Sequence, residues 1–160
     1  MKIIFLATGG TFDKLYYDAL SDYQIGDPQV PGILRQAAVS VDYQVDTIIG
    51  KDSLDINDAD RAALRSRIKS DTNTHFVVIH GTDTMPETAC SLQGINDKTI
   101  VLTGAMQPAR FKDSDAEFNV GFAVAAVQLL ESGVYIAMNG RVFAADKVRK
   151  NRDQGYFETI

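Results

Sequence analysis

The feature that most constrains the fold is a short, wholly apolar segment that ends in a polar turn and continues as a helix. Phe76 to Ile79 are four consecutive apolar residues, a pattern that predicts a strand buried on both faces. His80 to Thr84 end this strand, and Pro86 stands where the first turn of a helix tolerates a missing N–H. The sequence therefore predicts a glycine, a hydroxyl and a carboxylate between a strand end and a helix start, where open α/β folds place binding and catalysis.

Strand and helix patterns alternate along the rest of the chain. Further strands are predicted at residues 2–8, 41–50, 99–103 and 134–138, and helices at residues 31–40, 57–70, 85–93 and 116–131. Asn139-Gly140 is a hairpin signal, so residues 142–144 should return antiparallel at the edge. The expected fold is a single α/β domain, 1–160, with a doubly wound, mostly parallel sheet and an antiparallel edge hairpin, in three layers of the flavodoxin-like or Rossmann-like kind.

Polar pairs predict where helices begin, and one segment has no periodicity. The pairs are Asn57 with Asp60, Thr84 with Glu87, and Ser114 with Glu117, the last two having capping-box spacing. Residues 12–29 have neither helical nor strand periodicity, which predicts a mobile loop.

Charge and composition exclude several classes of function. The net charge is −5 at pH 7, whereas a nucleic-acid or anionic-membrane surface needs clustered Lys and Arg. The lone Cys90 and the isolated His75 and His80 have no metal-ligand spacing, so no metal site is predicted. Gly9-Gly10 lacks both the dinucleotide fingerprint and the P-loop ending. No apolar run reaches the length of a membrane span or a signal-peptide core, so a cytoplasmic location is expected.

The predicted sheet brings several polar turns to one edge. In a parallel sheet every strand-to-helix turn lies on the same side, so Thr11, Ser53 and Thr82 with Asp83 should face one crevice, together with residues 104–106. Taken singly, each residue also has a structural explanation, as a helix cap or a turn-closing group. Local pattern alone leaves both explanations open.

Three sequence blocks are more specific together than apart. They are Ala7-Thr8-Gly9-Gly10-Thr11, then His80-Gly81-Thr82-Asp83-Thr84-Met85 with Glu87-Thr88-Ala89, and Gly104-Ala105-Met106 with Pro108. In order and spacing they resemble the signature blocks of bacterial-type L-asparaginases, and Asp115 with Phe118-Asn119 continues the likeness. The resemblance covers nearly the whole chain but only the larger, N-terminal domain of the usual two-domain enzyme, and we expect a naturally short, single-domain form.

The resemblance implies catalytic roles. Thr11 would be the nucleophile, and Tyr23 would hydrogen-bond its hydroxyl. Thr82, Asp83 and Lys150 would form a Thr-Lys-Asp relay. A threonine hydroxyl is a weak nucleophile at neutral pH and must lose its proton to a nearby acceptor as it attacks the amide carbon.

The resemblance also implies a substrate-binding set. Ser53 would hold the substrate α-carboxylate and Asp83 would meet the α-ammonium group, while Gly81 and Ala105 would border the oxyanion and Gly10 would line the site.

One assignment within the resemblance needed a choice. Lys150 is preferred to Lys98 because it lies twelve residues after Met138, as the family's lysine follows its own Met-Asn pair. Gln107 and Ala116-Glu117 depart from the family pattern, and neither position carries the chemistry.

The implied activity is hydrolysis of L-asparagine to L-aspartate and ammonia through a β-aspartyl ester. It requires no cofactor, and the resemblance implies a homodimer or homotetramer with no nucleic-acid or membrane partner. Two alternatives stay open. One is a non-catalytic amino-acid-binding or regulatory domain, and the other is hydrolysis of glutamine, because one methylene changes discrimination by only about 1 to 3 kcal/mol.

Overall fold

The computed structural model describes residues 1–160 and contains ten strands and four α-helices. The strands are β1 (Lys2–Gly9), β2 (Lys14–Tyr17), β3 (Asp22–Ile25), β4 (Asp42–Lys51), β5 (His75–Ile79), β6 (Thr99–Thr103), β7 (Gly133–Met138), β8 (Arg141–Ala144), β9 (Val148–Asn151) and β10 (Tyr156–Thr159). The helices are α1 (Val30–Gln36), α2 (Asp58–Ser70), α3 (Met85–Leu92) and α4 (Ala116–Leu129). None of the helices is both long enough and apolar enough to cross a membrane.

Six strands form the main sheet, in the order β4, β1, β5, β6, β7, β8. The first five are parallel, and β8 pairs antiparallel with β7. Asn139 and Gly140 take positive φ values of 54° and 73°, the backbone that a two-residue hairpin turn requires. The predicted fold class and the edge hairpin are therefore confirmed.

The central strands are buried on both faces, because successive side chains of a strand point to opposite sides. Phe76 and Val78 join an apolar cluster with α2 and α3, whereas Val77 and Ile79 join a second cluster with α1 and α4. All four side chains are fully buried. Burial of each stabilises the fold by about 1.5 to 3 kcal/mol, which anchors the turn that follows β5.

The strand order reverses between β1 and β5. From β1 the chain passes through α1 to β4 on one side, and from β4 it returns through α2 to β5 on the other side of β1. At such a switch point the loops after the two strands diverge and leave a crevice at their carboxyl ends. This is where the site described below lies.

The prediction of a mobile loop over residues 12–29 was wrong. This segment contains the antiparallel pair β2 and β3, in which Tyr16 lies opposite Tyr23. The two rings meet edge to face, with their centroids 5.4 Å apart. Each strand has only four residues, so the sequence shows too few alternations to indicate a strand.

One of the three predicted capping pairs forms as a complete capping box, that of Asn57 and Asp60 at the start of α2. Thr84 is the N-cap residue of α3, but its side chain makes no bond to the helix and its hydroxyl donates to the Ser53 carbonyl at 2.7 Å. Ser114 lies one residue before the N-cap of α4. Its oxygen accepts the Ala116 N–H at 3.1 Å and its hydroxyl donates to the Gln107 carbonyl at 2.9 Å, so it contacts the helix start without the predicted box.

A second hairpin, β9 and β10, was not predicted. It packs on the α2 and α3 side of the sheet through Val148 and Phe157, which are both buried in the apolar cluster of that side. The Phe157 N–H also donates to the Asn139 side chain at 3.0 Å. The hairpin matters for function because β9 carries Lys150.

Lys98 is a structural lysine on the opposite edge of the sheet. It is 8% exposed, and its ammonium donates to the carbonyls of Asp71 and Asn73 and lies 5.5 Å from the centre of the Phe76 ring. Both carbonyls belong to the turn between α2 and β5, so Lys98 holds the segment that leads into β5.

We predict that Lys98→Met lowers the free energy of unfolding by about 2 to 4 kcal/mol, because it removes two charge-assisted hydrogen bonds and leaves two carbonyls unpaired. Urea unfolding would measure the loss. The control is Lys69→Met, an exposed lysine on α2, which should change stability by less than about 0.5 kcal/mol. Equal effects of the two substitutions would contradict the structural role.

Candidate active site

Four turns meet at the carboxyl ends of the central strands in close contact. An added Cβ on Gly10 would lie 2.5 Å from the Gly81 Cα, so the turns after β1 and β5 are in direct contact. A Cβ on Gly81 would lie 2.6 Å from the Ser53 Cβ, which brings in the turn after β4. A Cβ on Gly104 would lie 2.2 Å from the His80 carbonyl oxygen, which brings in the turn after β6. No side chain fits at these three positions without a shift of the backbone.

The turn after β1 presents Thr11. Gly10 has φ 79°, which favours glycine, and its N–H donates to the Lys51 carbonyl at 2.9 Å. Thr11 begins a single 3₁₀ turn that is anchored by the fully buried Phe12. The Thr11 side chain is half-buried, and its hydroxyl makes no hydrogen bond within the chain, so it is free to meet a ligand.

Tyr23 is not hydrogen-bonded to Thr11. Its side chain is 46% exposed on β3 and packs against Tyr16, with the Phe111 ring centroid 6.3 Å away. The hairpin that carries Tyr23 follows Thr11 by only a few residues and is tied to the turn after β4 by the ion pair between Lys14 and Asp52, at 2.7 Å.

Thr82, Asp83 and Lys150 form one hydrogen-bonded cluster. The Lys150 ammonium donates to the Thr82 hydroxyl oxygen at 2.8 Å and to the Asp83 carboxylate at 2.7 Å. Thr82 is buried, whereas the Asp83 side chain is 34% exposed and Arg152 approaches it at 3.9 Å. Because Lys150 is the donor in both bonds, the Thr82 hydroxyl keeps its own proton to donate elsewhere.

Ser53 lies beneath the same crevice. It is 2% exposed and opens a 3₁₀ turn whose preceding residue, Asp52, accepts a hydrogen bond from the Leu54 N–H at 3.2 Å. Burial opposes ionisation of Asp52, but hydrogen bonds from Lys14 and Leu54 bring its pKa below the usual value. The Thr84 bond to the Ser53 carbonyl fixes this turn against the Thr82 turn.

His80 is a neutral structural residue at the end of β5. It is fully buried, and burial lowers the pKa of its imidazole to about 4. Its Nδ1 lies 2.7 Å from the Gly81 carbonyl, which identifies Nδ1 as the protonated nitrogen. The imidazole therefore steadies the turn and carries no charge at neutral pH.

The structure brings together most of the residues singled out from the sequence. Gly10, Thr11, Ser53, Gly81, Thr82, Asp83, Ala105 and Lys150 all belong to the four turns or to the hairpin strand beside them. Tyr23 lies at their margin, and Lys98, the alternative lysine, lies at the opposite edge. No group of three or more His, Cys, Asp or Glu side chains is arranged to hold a metal ion.

Sequence reasoning missed Asp13, a buried carboxyl two residues after Thr11. It is 2% exposed and accepts a hydrogen bond from the Gln29 N–H at 2.9 Å, while its carbonyl accepts from Gly26 at 2.8 Å. Burial raises the pKa of Asp13 to about 6, although the Gln29 bond and the charge of Arg110 oppose the shift. Its position directly after the apolar Phe12 was the only signal in the sequence.

We predict that Asp13 makes stability fall as the pH rises from about 4 to about 6. Its pKa is about 6 in the folded protein and 3.8 as the reference, so the folded state holds the proton more tightly than the unfolded state in this range. Between pH 4 and pH 7 the wild type should lose about 2 kcal/mol relative to Asp13→Asn. Urea unfolding of both proteins at several pH values measures this difference, with the exposed Asp27→Asn as the control. A pH-independent difference would contradict the raised pKa.

Comparisons with known proteins agree on one family. The family model described as Asparaginase, N-terminal, matches residues 2–157. L-asparaginase 2 from Escherichia coli (strain K12) is 33% identical over 172 residues, which cover 99% of this chain and 49% of that protein. Glutaminase-asparaginase from Acinetobacter glutaminasificans is 31% identical, over 93% of this chain and 49% of that protein.

A solved structure gives the same result for the fold. The probable cytoplasmic L-asparaginase from Campylobacter jejuni superposes with a TM-score of 0.85 at 29% identity, covering 99% of this chain and 53% of that one. The chain thus spans about half the length of the relatives that it matches.

Proposed function

The chain belongs to the asparaginase family, as its N-terminal domain, and on that premise we propose that it hydrolyses the side-chain amide of L-asparagine to give L-aspartate and ammonia. The observation that supports this most directly is the Thr82, Asp83 and Lys150 cluster, with bonds of 2.8 and 2.7 Å, beside the turn that presents Thr11. A free hydroxyl next to a fixed relay of proton donors and acceptors is what amide cleavage needs.

Substrate binding is proposed to use charge and small-residue turns. The Asp83 carboxylate is partly exposed and would hold the α-ammonium group, although it also pairs with Lys150. Ser53 would donate its hydroxyl to the α-carboxylate. Gly10 and Gly81 would line the substrate site at the switch point, where their lack of a Cβ lets the Thr11 and Thr82 turns come into contact.

The chemistry proceeds in two steps. The Thr11 oxygen bonds to the amide carbon while its proton passes through the site to the leaving nitrogen, and the C–N bond then breaks to release ammonia. Backbone N–H groups of the glycine-containing turns near Gly81 and Ala105 stabilise the oxyanion. Water then cleaves the β-aspartyl ester, releases aspartate and returns a proton to the Thr11 oxygen.

Thr82 is a second candidate for the nucleophile. Its hydroxyl, not that of Thr11, lies 2.8 Å from the Lys150 ammonium. If Lys150 loses its proton during the cycle, the hydrogen bond reverses and Thr82 becomes the hydroxyl that a neighbouring base activates. We favour Thr11 as the nucleophile, because its hydroxyl has no partner to displace.

We predict that Thr11→Val, which preserves shape but removes the hydroxyl, abolishes ammonia release from L-asparagine. The covalent aspartyl group should be found on the peptide that contains Thr11 when the wild type is acid-quenched during turnover and analysed by mass spectrometry. Thr82→Val should slow turnover and still form the ester on Thr11. An ester on Thr82, or turnover by Thr11→Val, would assign the nucleophile to Thr82.

We predict that Lys150 is needed for catalysis and not for the stability of the fold. Lys150→Met is expected to lower kcat by about 10²- to 10⁴-fold, the usual effect of losing a proton-transfer group. The matched control is Lys147→Met, on the exposed turn before β9. A Lys150→Met variant that keeps its kcat would exclude the relay.

Two alternatives are decided by the same ammonia assay. A non-catalytic amino-acid-binding domain would bind aspartate or asparagine stoichiometrically, as measured by calorimetry. In a parallel assay it would release no ammonia. A preference for L-glutamine would show as a higher kcat/KM on that amide, and one relative is named glutaminase-asparaginase.

We also propose that the domain acts in the cytoplasm as a homodimer or homotetramer. The β2 and β3 hairpin leaves Tyr16, Tyr17 and Leu20 about half exposed or more beside the crevice, an apolar surface suited to a second copy. Light scattering of the purified chain measures the assembly. The cytoplasmic location follows the name of the Campylobacter jejuni relative. A Haemophilus influenzae relative is named periplasmic.

A further inference from the structure

Strand β9 sends alternate side chains to two different carboxylates. Successive side chains of a strand point to opposite sides. Arg149 and Asn151 lie on one side, where both donate to the Glu158 carboxylate of β10, at 2.8 and 3.2 Å. Lys150 and the residue directly after the strand, Arg152, therefore point to the other side, which faces the turn after β5.

Arg152 approaches the site with its hydrogen-bond donors unused. Its Nε lies 3.9 Å from the Asp83 carboxylate oxygen that Lys150 contacts at 2.7 Å. At 3.9 Å the two groups attract one another but form no hydrogen bond, and the guanidinium has no other ion-pair or hydrogen-bond partner in the chain. The side chain is also 66% exposed. Arg152 thus offers a positive charge and its N–H donors to a ligand held at Asp83.

The charges around Asp83 leave a place for a second negative group when a substrate is bound. In the pose proposed above, Asp83 holds the α-ammonium group, so one carboxylate faces three cations: that group, Lys150 and Arg152. No other carboxylate forms an ion pair with either side chain, and this includes Glu87, which lines the groove between α3 and β9 with them. Like charges repel, so the three cations need a further anion. The negative charge that a free amino acid brings with it is its α-carboxylate.

The α-carboxylate would lie within reach of Arg152. The α-ammonium and α-carboxylate groups of an amino acid are attached to the same carbon atom, so a substrate whose nitrogen is bonded to Asp83 has its carboxylate close by. The other cations near the crevice are engaged, because Lys150 already donates two hydrogen bonds and Lys14 is paired with Asp52 at 2.7 Å. The planar guanidinium of arginine can donate two parallel hydrogen bonds to one carboxylate.

We infer that Arg152 is a specificity-determining residue that binds the α-carboxylate of the substrate and selects free amino acids over those whose carboxyl group is esterified or amidated. Ser53 supplies a neutral hydroxyl to this group, and Arg152 supplies the charge. The inference rests on the proposed function, which places the α-ammonium group on Asp83. The α-carboxylate keeps its charge while the side-chain amide reacts, so its contact is equally strong in the ground state and in the transition state. Loss of Arg152 should therefore raise KM and leave kcat nearly unchanged.

The first test compares Arg152→Met with Arg149→Met. The two arginines belong to the same hairpin and are equally exposed, at 66% and 67%, but Arg149 is paired with Glu158 on the other side of the strand. Arg152→Met should raise KM for L-asparagine at least about tenfold, the effect of losing a charged hydrogen bond, with kcat changed less than about threefold. Arg152→Lys keeps the charge without the paired donors and should give an intermediate KM. Arg149→Met should leave both constants within about twofold of the wild type.

A substrate analogue tests the carboxylate directly. L-asparagine methyl ester keeps the α-ammonium group and the side-chain amide, carries no carboxylate, and releases ammonia only from its side chain. The ratio of kcat/KM for L-asparagine to kcat/KM for the ester should fall at least about tenfold in Arg152→Met. A general loosening of the site would lower both values together, so a structural role of Arg152 would leave this ratio unchanged.

Calorimetry makes the same comparison without turnover. L-asparagine is titrated into Thr11→Val and into Thr11→Val combined with Arg152→Met. The second substitution should raise the Kd at least about tenfold. A raised Kd together with a reduced preference for L-asparagine over the ester supports the inference.

The outcomes separate this inference from the proposed function. An active wild type whose KM and ester ratio are unchanged by Arg152→Met overturns the role of Arg152 alone. A wild type that releases no ammonia overturns the proposed function, and titration of L-asparagine into the wild type and Arg152→Met then decides the role of Arg152. A weaker Kd in the variant supports that role, whereas equal Kd values, or no binding by the wild type, overturn it.

Discussion

The close backbone contact between Gly10 and Gly81 is the constraint on which the site depends. A Cβ on Gly10 would reach to 2.5 Å from the Gly81 Cα, and one on Gly81 would reach to 2.6 Å from the Ser53 Cβ. Three turns from different strands can meet only because two of them carry no side chain at the contact. Each glycine is followed by a threonine, so the same contact brings the Thr11 and Thr82 turns together. The parallel sheet brings these turns to the same edge, and the missing Cβ atoms allow the turns to touch.

The charge in the site comes largely from outside the parallel sheet. Lys150 lies on β9, a strand of the separate two-stranded sheet, and reaches Thr82 and Asp83 across the start of α3. The hairpin is fixed by the buried Phe157, so an apolar contact positions the ammonium. By contrast, the buried imidazole of His80, whose pKa is lowered to about 4, adds no charge near neutral pH.

The sequence predicted the features that follow from the topology of the parallel sheet and missed those that depend on tertiary partners. Four apolar runs and one alternating segment, residues 41–50, located the five parallel strands, and the rule that their turns share one edge located the crevice. The hairpin that contains Tyr16 and Tyr23 was not predicted, because strands of four residues are too short to show an alternating pattern. The predicted boxes at Thr84 and Ser114 do not form: Thr84 donates to the Ser53 carbonyl, and Ser114 lies one residue before the N-cap, where it accepts the Ala116 N–H and donates to the Gln107 carbonyl. Local spacing alone does not determine which of several nearby backbone groups a hydroxyl binds.

The turn after β6 shows why one site uses two kinds of support. Gly104 packs against the His80 carbonyl and the Met85 side chain, whereas the Gly81 turn is packed by Gly10 and Ser53. On the side of α4, Asp115 and Asn119 hold the turn after β6 through hydrogen bonds to Gly104, Met106 and Gln107. Hydrogen bonds hold direction as well as distance, so they fix the orientation of these peptide groups and not only their position. Close packing alone therefore places the Thr11 and Thr82 turns, whereas the turn after β6 is held by packing and by a side-chain clamp together.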